Sequence, residues 1–567
     1  MRPDPLAGRS GLLRYMEKIN ETIIKLLEKR GITSPDDIEE FLSDKPQRTH
    51  SPLLLEDIEE GAQLIIEEAA KGSRICIYGD YDADGITSTS LMMSVLGHLT
   101  SKEKLGYYIP SRFEEGYGLN MEAVKHIADS GYDMIVTVDC GSVSAEEVAY
   151  AQELGLKILV TDHHNITDKM AGCLLINPKR PDSRYPFREL SGCGVAFKLA
   201  QVIQQKAGLP KSVLTEVLDL VAIGTVGDIM PLVDENRTMV KFGLKIINMG
   251  GRPGLRKLAE GAGLRIGSIS SENLGYIIVP HLNASGRIED ASQAVRLLTA
   301  SEGDPEIDTI VDDLLFKNQE RRRIQNETYK SCSEGLDRDN PEDFILIRSE
   351  DAHEGIAGIV AGKIKDNFYR PSVILTPTGS EGQLLKGTGR SIDGVNLYEL
   401  LKAHEDLFEK FGGHAGACGF TMKAENFDAL KQGLLAKMAE LSAANEGLFV
   451  RKYPVDMDLD FGDITIEFAD QLQMLAPFGN TNPKPLFRLV NVTIGDVRYM
   501  GSENQHMRFT ATDIKGNDVQ CVLFNKAADY GLSVYARRPV ELIGSLESQV
   551  WQGTKRLQFM VEKIKFD

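Results

Sequence analysis

The sequence has no CxxC pair. Its seven cysteines, at 76, 140, 173, 193, 332, 418 and 521, are odd in number and scattered, which excludes a disulfide framework and a zinc knuckle and predicts buried thiols in a reducing compartment. No apolar run approaches the roughly 20 residues that cross a bilayer. The opening stretch, MRPDPLAGRSGLLRYMEKIN, lacks the apolar core of a secretion signal. The expectation is a cytoplasmic protein with no membrane partner. Positive charge is scarce: 64 Lys and Arg face 83 Asp and Glu, a net charge of −19, and taken over the whole chain that balance argues against nucleic acid. Tryptophan occurs once, at 551. Neither an internal repeat nor a low-complexity tract is present, so solenoids and extended disorder are excluded.

What is present is an ordinary globular composition. With 567 residues, 42% hydrophobic and 26% charged, the chain has material for about three or four domains. Its charge is uneven: residues 481–567 carry 12 Lys and Arg against 9 Asp and Glu, a basic tail that suits a local binding track. The first half alternates short β-rich runs with amphipathic helices, the pattern of a parallel sheet covered by helices. RICIYGD (74–80), MIVTVDC (134–140) and KILVTD (157–162) are nearly continuous in apolar or β-branched residues, as strands buried on both faces should be. Each runs into an aspartate at its C-terminal end, where the ligand crevice of an open α/β sheet lies. Ile307, Ile310, Val311, Leu314 and Leu315 have helical spacing and predict one long helix from 305 to about 337. A second α/β segment follows, with FILI and SVIL as strands and a glycine-rich FGGHAGACGF at 411–420. APFGNTNPKP (476–485) reads as a linker. Beyond it, five or so strands in fewer than 90 residues predict a small closed β-barrel, with an OB-fold as the leading candidate.

The chemistry is carried by acids and imidazoles. Asp80, Asp82 and Asp84 occur in GDYDADGIT directly after a strand. An EF-hand shares that spacing, but it needs a glutamate at position twelve, where Leu91 stands, and it follows a helix. Three carboxylates this close repel one another unless a cation lies among them. Asp139 ends the second strand, His163 and His164 follow Asp162 at the end of the third, and Asp228 sits where the helix in TEVLDLVAIGTVGDIMPL gives way to a loop. Carboxylate mixed with imidazole suits Mn2+ better than Mg2+ or Ca2+. Enough donors are present for two ions sharing a carboxylate, the arrangement that activates water for in-line phosphoryl displacement. GIVAGKI invites a phosphate-loop reading, but Ala357 and Ile364 occupy positions that such a loop reserves for Gly and Ser/Thr.

DYDADG, VTVDCGS, TDHH and VGDIMPL, in that order, resemble the four motifs of the DHH phosphoesterases, and GGHAGACG resembles the signature of the DHH-associated domain. IPSRFEEGYGL, HLNASGRI, GTGRSIDGVNL, PFGNTNP and the β-rich tail extend the resemblance to the single-strand exonuclease branch along nearly the whole chain. The resemblance implies an α/β architecture. Its parts are an N-terminal helical segment (1–50), a parallel-sheet DHH catalytic domain (51–304), a connector helix (305–340), an α/β DHH-associated domain (341–450), and a linker with an OB-fold barrel for DNA (451–567).

The resemblance also implies roles. Asp82, Asp84, Asp139, His163 and Asp228 ligate two Mn2+ ions, Mg2+ being the substitute, with Asp139 bridging and Asp80 and His164 completing or flanking the shell. His414 contacts the scissile phosphate. Arg112, Arg287, Thr388 and Arg390 hold a terminal 5′-phosphate, for which guanidinium forks are suited. Asn283, Arg508, Phe509 and Trp551 contact DNA. Many family members carry a histidine where this chain has Tyr78, and an alanine where it has Cys418. The implied activity is 5′ to 3′ hydrolysis of single-stranded DNA to 5′-mononucleotides by a monomer serving recombination and repair, with single-strand-binding protein and a helicase as partners. A small-nucleotide phosphodiesterase acting on oligoribonucleotides or cyclic dinucleotides would not need the barrel. A catalytically inactive DNA-binding replication factor would have lost ligands.

Overall fold

The computed structural model describes residues 19–112, 115–166, 169–288, 291–379, 383–536, 538–551 and 553–566. Two short helices, Glu21–Lys29 and Pro35–Leu42, come first, each capped by a side chain, Asn20 and Ser34, that accepts a backbone N–H. Helices this short do not persist alone in water. Their apolar faces, Ile23, Leu26, Leu27, Ile38 and Leu42, are buried in the same core as the C-terminal barrel. The N-terminal helices are therefore part of the barrel's packing.

The catalytic body is built on five parallel strands: β1 (Ile75–Tyr78), β2 (Leu105–Tyr108), β3 (Met134–Val138), β4 (Lys157–Thr161) and β5 (Leu174–Ile176). They lie in the order β2-β1-β3-β4-β5. Ile75, Ile77, Met134 and Val136 face one core; Cys76, Tyr78, Ile135 and Val160 face the other. Helices cover both faces, which is why the strands read as unbroken apolar runs. Successive connections leave β1 in opposite directions, so the carboxyl ends of β1 and β3 part at a switch point and open a crevice there.

The connector helix, Glu306–Ser333, leads to a second sheet. It comprises β6 (Ile345–Arg348), β7 (Ser372–Thr378), β8 (Leu384–Arg390), β9 (Phe408–His414) and β10 (Ala417–Lys423), in the order β6-β7-β8-β10-β9. Only β6 and β7 are parallel. GIVAGKI lies inside the helix Glu354–Phe368, with Ile356, Ala357, Val360 and Ile364 buried, so it forms no phosphate loop. The C-terminal sheet contains β11 (Met457–Asp458), β12 (Phe487–Met500), β13 (His506–Thr512), β14 (Asp518–Leu523), β15 (Val540–Trp551) and β16 (Thr554–Phe566). Pairing of β12 with β15 as well as with β13 closes it into a barrel. Among the described residues no helix is long and apolar enough to cross a membrane.

The proline- and asparagine-rich stretch that reads as a linker is clasped against the catalytic body. Arg237, 3% exposed, stands on the helix Asp234–Met249 and donates to the carbonyls of Leu475 (3.0 Å) and Ala476 (2.8 Å) and to that of Phe41 (2.9 Å). Its guanidinium lies 3.7 Å from the centre of the Phe41 ring. Burial, with Arg30 nearby, pushes its pKa down to about 9. One side chain thus ties the body, the N-terminal helices and the approach to the barrel through neutral carbonyls. Arg237→Ala strips donors from those carbonyls, and buried acceptors left unpaired cost about 1–3 kcal/mol each. The first urea transition is expected to lose about 2–4 kcal/mol, and Arg237→Lys, which cannot fork, should recover less than half. Unfolding curves that superimpose on wild type would remove Arg237 from this role.

Candidate metal centre and phosphate pocket

Four chain segments converge at the switch point. After β1, Asp82 caps the helix Ala83–Leu96 by accepting from the N–H groups of Asp84 (2.9 Å) and Gly85 (3.2 Å). Asp84, one residue inside, accepts from the N–H groups of Gly192 (2.6 Å) and Cys193 (2.9 Å), at the start of the helix Gly192–Ala207. A carboxylate there gains from the helix dipole. After β3, Asp139 has a φ of +64°, a left-handed turn that aspartate tolerates better than most residues. Glycine is required beside these acids: a Cβ on Gly192 would lie 2.4 Å from Asp139 Oδ1, and one on Gly224 would lie 2.5 Å from Asp84 Oδ1.

After β4, Asp162 folds the turn. It accepts from the N–H groups of His163 (2.7 Å), His164 (3.1 Å) and Ser142 (2.9 Å), and from His164 Nδ1 (2.8 Å). His163 then faces three carboxylates, with Nε2 at 3.1 Å from Asp139, 3.5 Å from Asp228 and 3.9 Å from Asp84. None of these contacts is aligned as a hydrogen bond, and both its ring nitrogens lack partners, as do Asp80 Oδ1 and Asp139 Oδ1. Asp228, capping the helix Leu218–Gly227, supplies the fourth element.

The electrostatics follow from burial and crowding. Burial, then the charge of Asp82, pushes Asp80 up to about 8 and Asp228 up to about 7. Burial raises Asp84, next to Asp228, and Asp139, next to Asp84, well above the ordinary carboxylate range. Desolvation and the neighbouring His164 hold His163 neutral down to about 3, the form that ligates a metal. Against the desolvation that would lower it, the Asp162 carboxylate lifts His164 to about 9.

Three groups of donors lie within 4.8 Å of one another: Asp80 with Asp82 and Asp139; Asp84 with His163 and Asp228; and Asp139 with His163 and His164. Asp139 belongs to two of them. Buried oxygens and nitrogens without partners, two connected donor sets, and carboxylate mixed with imidazole together fit a pair of first-row divalent cations. Tyr78 stands apart. It is fully buried in the core that holds Cys76, Ile135 and Val160, and its hydroxyl donates to the Gly118 carbonyl at 2.9 Å.

The arginines form a second centre. Arg112 stacks over Tyr81 at 5.1 Å, and Arg287, on the helix Val279–Ile288, donates to the Gly355 carbonyl at 3.0 Å. Arg390 and Thr388, both on β8, border Gly358, where a Cβ would lie 3.1 Å from the guanidinium and 3.0 Å from the threonine methyl. Burial and the charges of Arg112, Arg321 and Arg390 push Arg287 down to about 10, with Asp82 opposing. Among the described residues Arg112, Arg287 and Arg390 make no ion pair. Arg321 of the connector helix, held by Asn318 at 3.0 Å, was not singled out from the sequence; the run Arg321–Arg323 on that helix is its only signal. Asn283, half-buried, leaves its Oδ1 without a partner. His414 is exposed at the end of β9, its Nδ1 accepting from the Gly416 N–H; no bond among the described residues joins it to the acidic cluster. The thiol of Cys418, buried, lies 3.3 Å from the His414 carbonyl.

In the barrel one expectation is corrected. Phe509 is fully buried in the barrel core and is not available to stack on bases. It shares the inward face of β13 with Met507 and Ala511. Arg508 faces outward, bonded to Gln520 at 3.3 Å. The side chain of Trp551 lies outside the described residues. Phe524, just beyond β14, is an exposed aromatic that the sequence reading missed, set edge-on to His506 at 5.0 Å.

Residues 74–225 match the DHH family, N-terminal domain; residues 342–440 match the DHHA1 domain; and residues 455–563 match the RecJ OB domain. The chain is similar to the single-stranded-DNA-specific exonuclease RecJ of Bacillus subtilis (strain 168), with 36% identity covering 99% of this chain and 70% of that protein. It is similar also to RecJ of Escherichia coli (strain K12), with 30% identity covering 95% of each chain. Among solved structures, RecJ in complex with Mn2+ from Thermus thermophilus superposes with a TM-score of 0.80 at 27% identity, over 100% of this chain and 78% of that one.

The proton affinities make a test. Asp80 and His164 keep protons in the fold to about 8 and about 9, whereas the unfolded chain releases them near about 4 and about 6.5. The metal-free fold therefore binds more protons than the unfolded chain, and its stability falls as pH rises. His163, lowered instead, opposes this trend only below about pH 6.5. Melting temperatures in chelator are expected to fall between roughly pH 7 and 8.5, and the stabilisation by added Mn2+ should grow over the same interval, because cation and proton compete. A rising melting temperature in chelator would contradict these affinities.

Proposed function

The chain belongs to the RecJ family of DHH phosphoesterases, and from that premise we propose that it hydrolyses single-stranded DNA from the 5′ end, releasing 5′-mononucleotides. Asp80, Asp82 and Asp139 would hold one Mn2+ ion and Asp84, His163 and Asp228 the other, with Asp139 shared and His164 beside them, and Mg2+ would substitute. Such a pair of ions, when bound, lowers the pKa of water and stabilises the attacking and leaving oxygens of an in-line displacement.

The remaining work is done by the chain itself. Arg112, Arg287 and Arg390, with the Thr388 hydroxyl, bind the terminal phosphate and so set the register in which the next phosphodiester reaches the carboxylates. Asn283 contacts the strand through its free amide oxygen. His414, exposed on the second lobe, donates to the scissile phosphate. Arg508 follows the strand across the barrel.

The observation that carries this reading is the pocket of three guanidiniums without acidic partners, drawn from both lobes. Arg287 feels the other arginines and Asp82 together, which supports a terminal phosphate one register away from the acids. A dead binding protein would lack donors, whereas every element of the centre still supplies its acid or imidazole. Since the substrate must be single-stranded, a helicase has to supply it and single-strand-binding protein will coat it. The enzyme acts as a cytoplasmic monomer in recombination and repair.

Asp139→Asn, which tolerates the left-handed backbone, should retain the fold and lose all but a few per cent of Mn2+-dependent activity; substantial turnover would remove Asp139 from the bridging position. Arg390→Ala should slow cleavage of 5′-phosphorylated oligonucleotides more than that of 5′-hydroxyl ones, by about 10- to 150-fold, the equivalent of about 1.5–3 kcal/mol for a charge-assisted hydrogen bond. Both are read with end-labelled single strands at fixed salt. Equal slowing on the two ends, or wild-type digestion from the 3′ end, would overturn the direction.

A further inference from the structure

The turn that carries Asp228 has a backbone its own sequence does not favour. Ile229, the next residue, has a φ of +55°, where a β-branched side chain crowds its own backbone. Its side chain is 71% exposed, so burial does not hold it there. Bonds at the helix end close the turn, Ile229 N–H to the Val226 carbonyl at 3.2 Å and Met230 N–H to the Thr225 carbonyl at 3.0 Å, and two bonds from elsewhere brace it. Asn480 Nδ2 donates to the Ile229 carbonyl at 2.7 Å, and the Leu232 N–H donates to the Asn480 carbonyl at 2.9 Å. The contact between the two segments is closed, for a Cβ on Gly479 would lie 2.7 Å from Leu232 Cδ1.

Asn480 is itself fixed. It stands in a tight turn in which Gly479 and Asn482 exchange N–H···O bonds of 3.0 and 3.1 Å. Asn482, 1% exposed, donates to the carbonyls of Leu475 (2.9 Å) and Pro477 (2.7 Å). The Ser271 hydroxyl donates to the Phe478 carbonyl at 2.7 Å. The segment leading into the barrel therefore reaches back and grips residues 229–232, one residue from a carboxylate that faces His163 at 3.5 Å.

We infer that Asn480 is a positioning residue for the metal centre: by bracing the left-handed turn at Ile229 from outside it aims Asp228, and so makes metal affinity depend on how the barrel-bearing segment is seated. The inference rests on the reading of Asp228 as a ligand given above. Groups that orient metal ligands typically change affinity by about 10- to 100-fold when removed, and a turn released from an unfavourable φ should behave in this way. Glycine at 229 would adopt the same φ without crowding, so Ile229→Gly should make the Asn480 bond dispensable.

The test is calorimetric titration of Mn2+ alone into the metal-free full-length chain, for wild type, Asp228→Asn, Asn480→Ala and the double variant Asn480→Ala/Ile229→Gly, with circular dichroism confirming the fold. The expected result is that Asn480→Ala weakens one Mn2+ site by about 10- to 100-fold and that the added glycine restores most of the loss. Should Asn480→Ala not fold, Asn480→Ser, which withdraws the amide donor without adding charge, takes its place in the same comparison. Unchanged Mn2+ affinity in the Asn480 variant, or a loss that Ile229→Gly leaves in full, overturns the inference. Wild-type Mn2+ binding by Asp228→Asn would instead overturn the assignment of Asp228.

Discussion

Buried negative charge that the protein cannot neutralise by itself is the constraint around which the catalytic body is arranged. Asp80, Asp84 and Asp139 are each no more than 3% exposed, and Asp82 and Asp228 add to the same crevice. Burial and mutual repulsion make Asp80, Asp84, Asp139 and Asp228 hold their protons more tightly than in water. The fold lowers part of that cost with backbone donors, those of Gly192 and Cys193 for Asp84 and those of His163, His164 and Ser142 for Asp162. It leaves Asp80 Oδ1, Asp139 Oδ1 and the nitrogens of His163 without partners. Atoms of that kind are usually satisfied in proteins, and where they cluster among mutually repelling carboxylates a cation satisfies both the unpaired atoms and the charge.

The same local accounting resolves the contradiction between an acidic chain and a polyanionic substrate. Net charge governs solubility and long-range attraction; binding depends on the few cations that lack counter-charges. Many basic groups on the body are engaged in ion pairs, such as Arg180 with Asp57 and Asp182, or Arg252 with Asp219. Arg112, Arg287 and Arg390 make none among the described residues, and desolvation keeps their field strong. A chain with a net charge of −19 can therefore present a concentrated positive pocket beside its acids.

Catalytic body and barrel are joined by neutral hydrogen bonds as well as by Lys484, which pairs with Glu272 of the body at 2.8 Å and with Glu547 of the barrel at 2.7 Å. Arg237 binds carbonyls from two distant segments, Asn482 fills the inside of the turn that follows, and Asn480 closes it onto residues 229–232. Such bonds are directional and short-ranged, so the barrel is registered on the body rather than tethered to it. The N-terminal helices are held in the same way, since their apolar faces lie in the barrel core.

The sequence by itself determined the sheet, the metal-binding crevice and the family. β1, β3 and β4 are buried on both faces, so their composition is unbroken and apolar, and each ligand segment directly follows its strand or helix; both signals are local. It also held the correct place of Phe509: the alternation of Met507, Phe509 and Ala511 with Arg508 and Thr510 points the ring inward, and a search for exposed aromatics passed over that period of two. What only the tertiary structure decided is everything that depends on which distant surfaces meet. An apolar helical face announces that it needs a partner but not that the partner is a barrel more than 400 residues away. A segment rich in Pro and Asn reads as a linker because its hydrogen bonds are made to carbonyls and amides, which every residue has. Arg321 joins the arginine cluster only because the connector helix crosses beside Arg287, and the turn after Asp228 is braced by Asn480, whose bond to a main-chain oxygen leaves no trace in side-chain pattern.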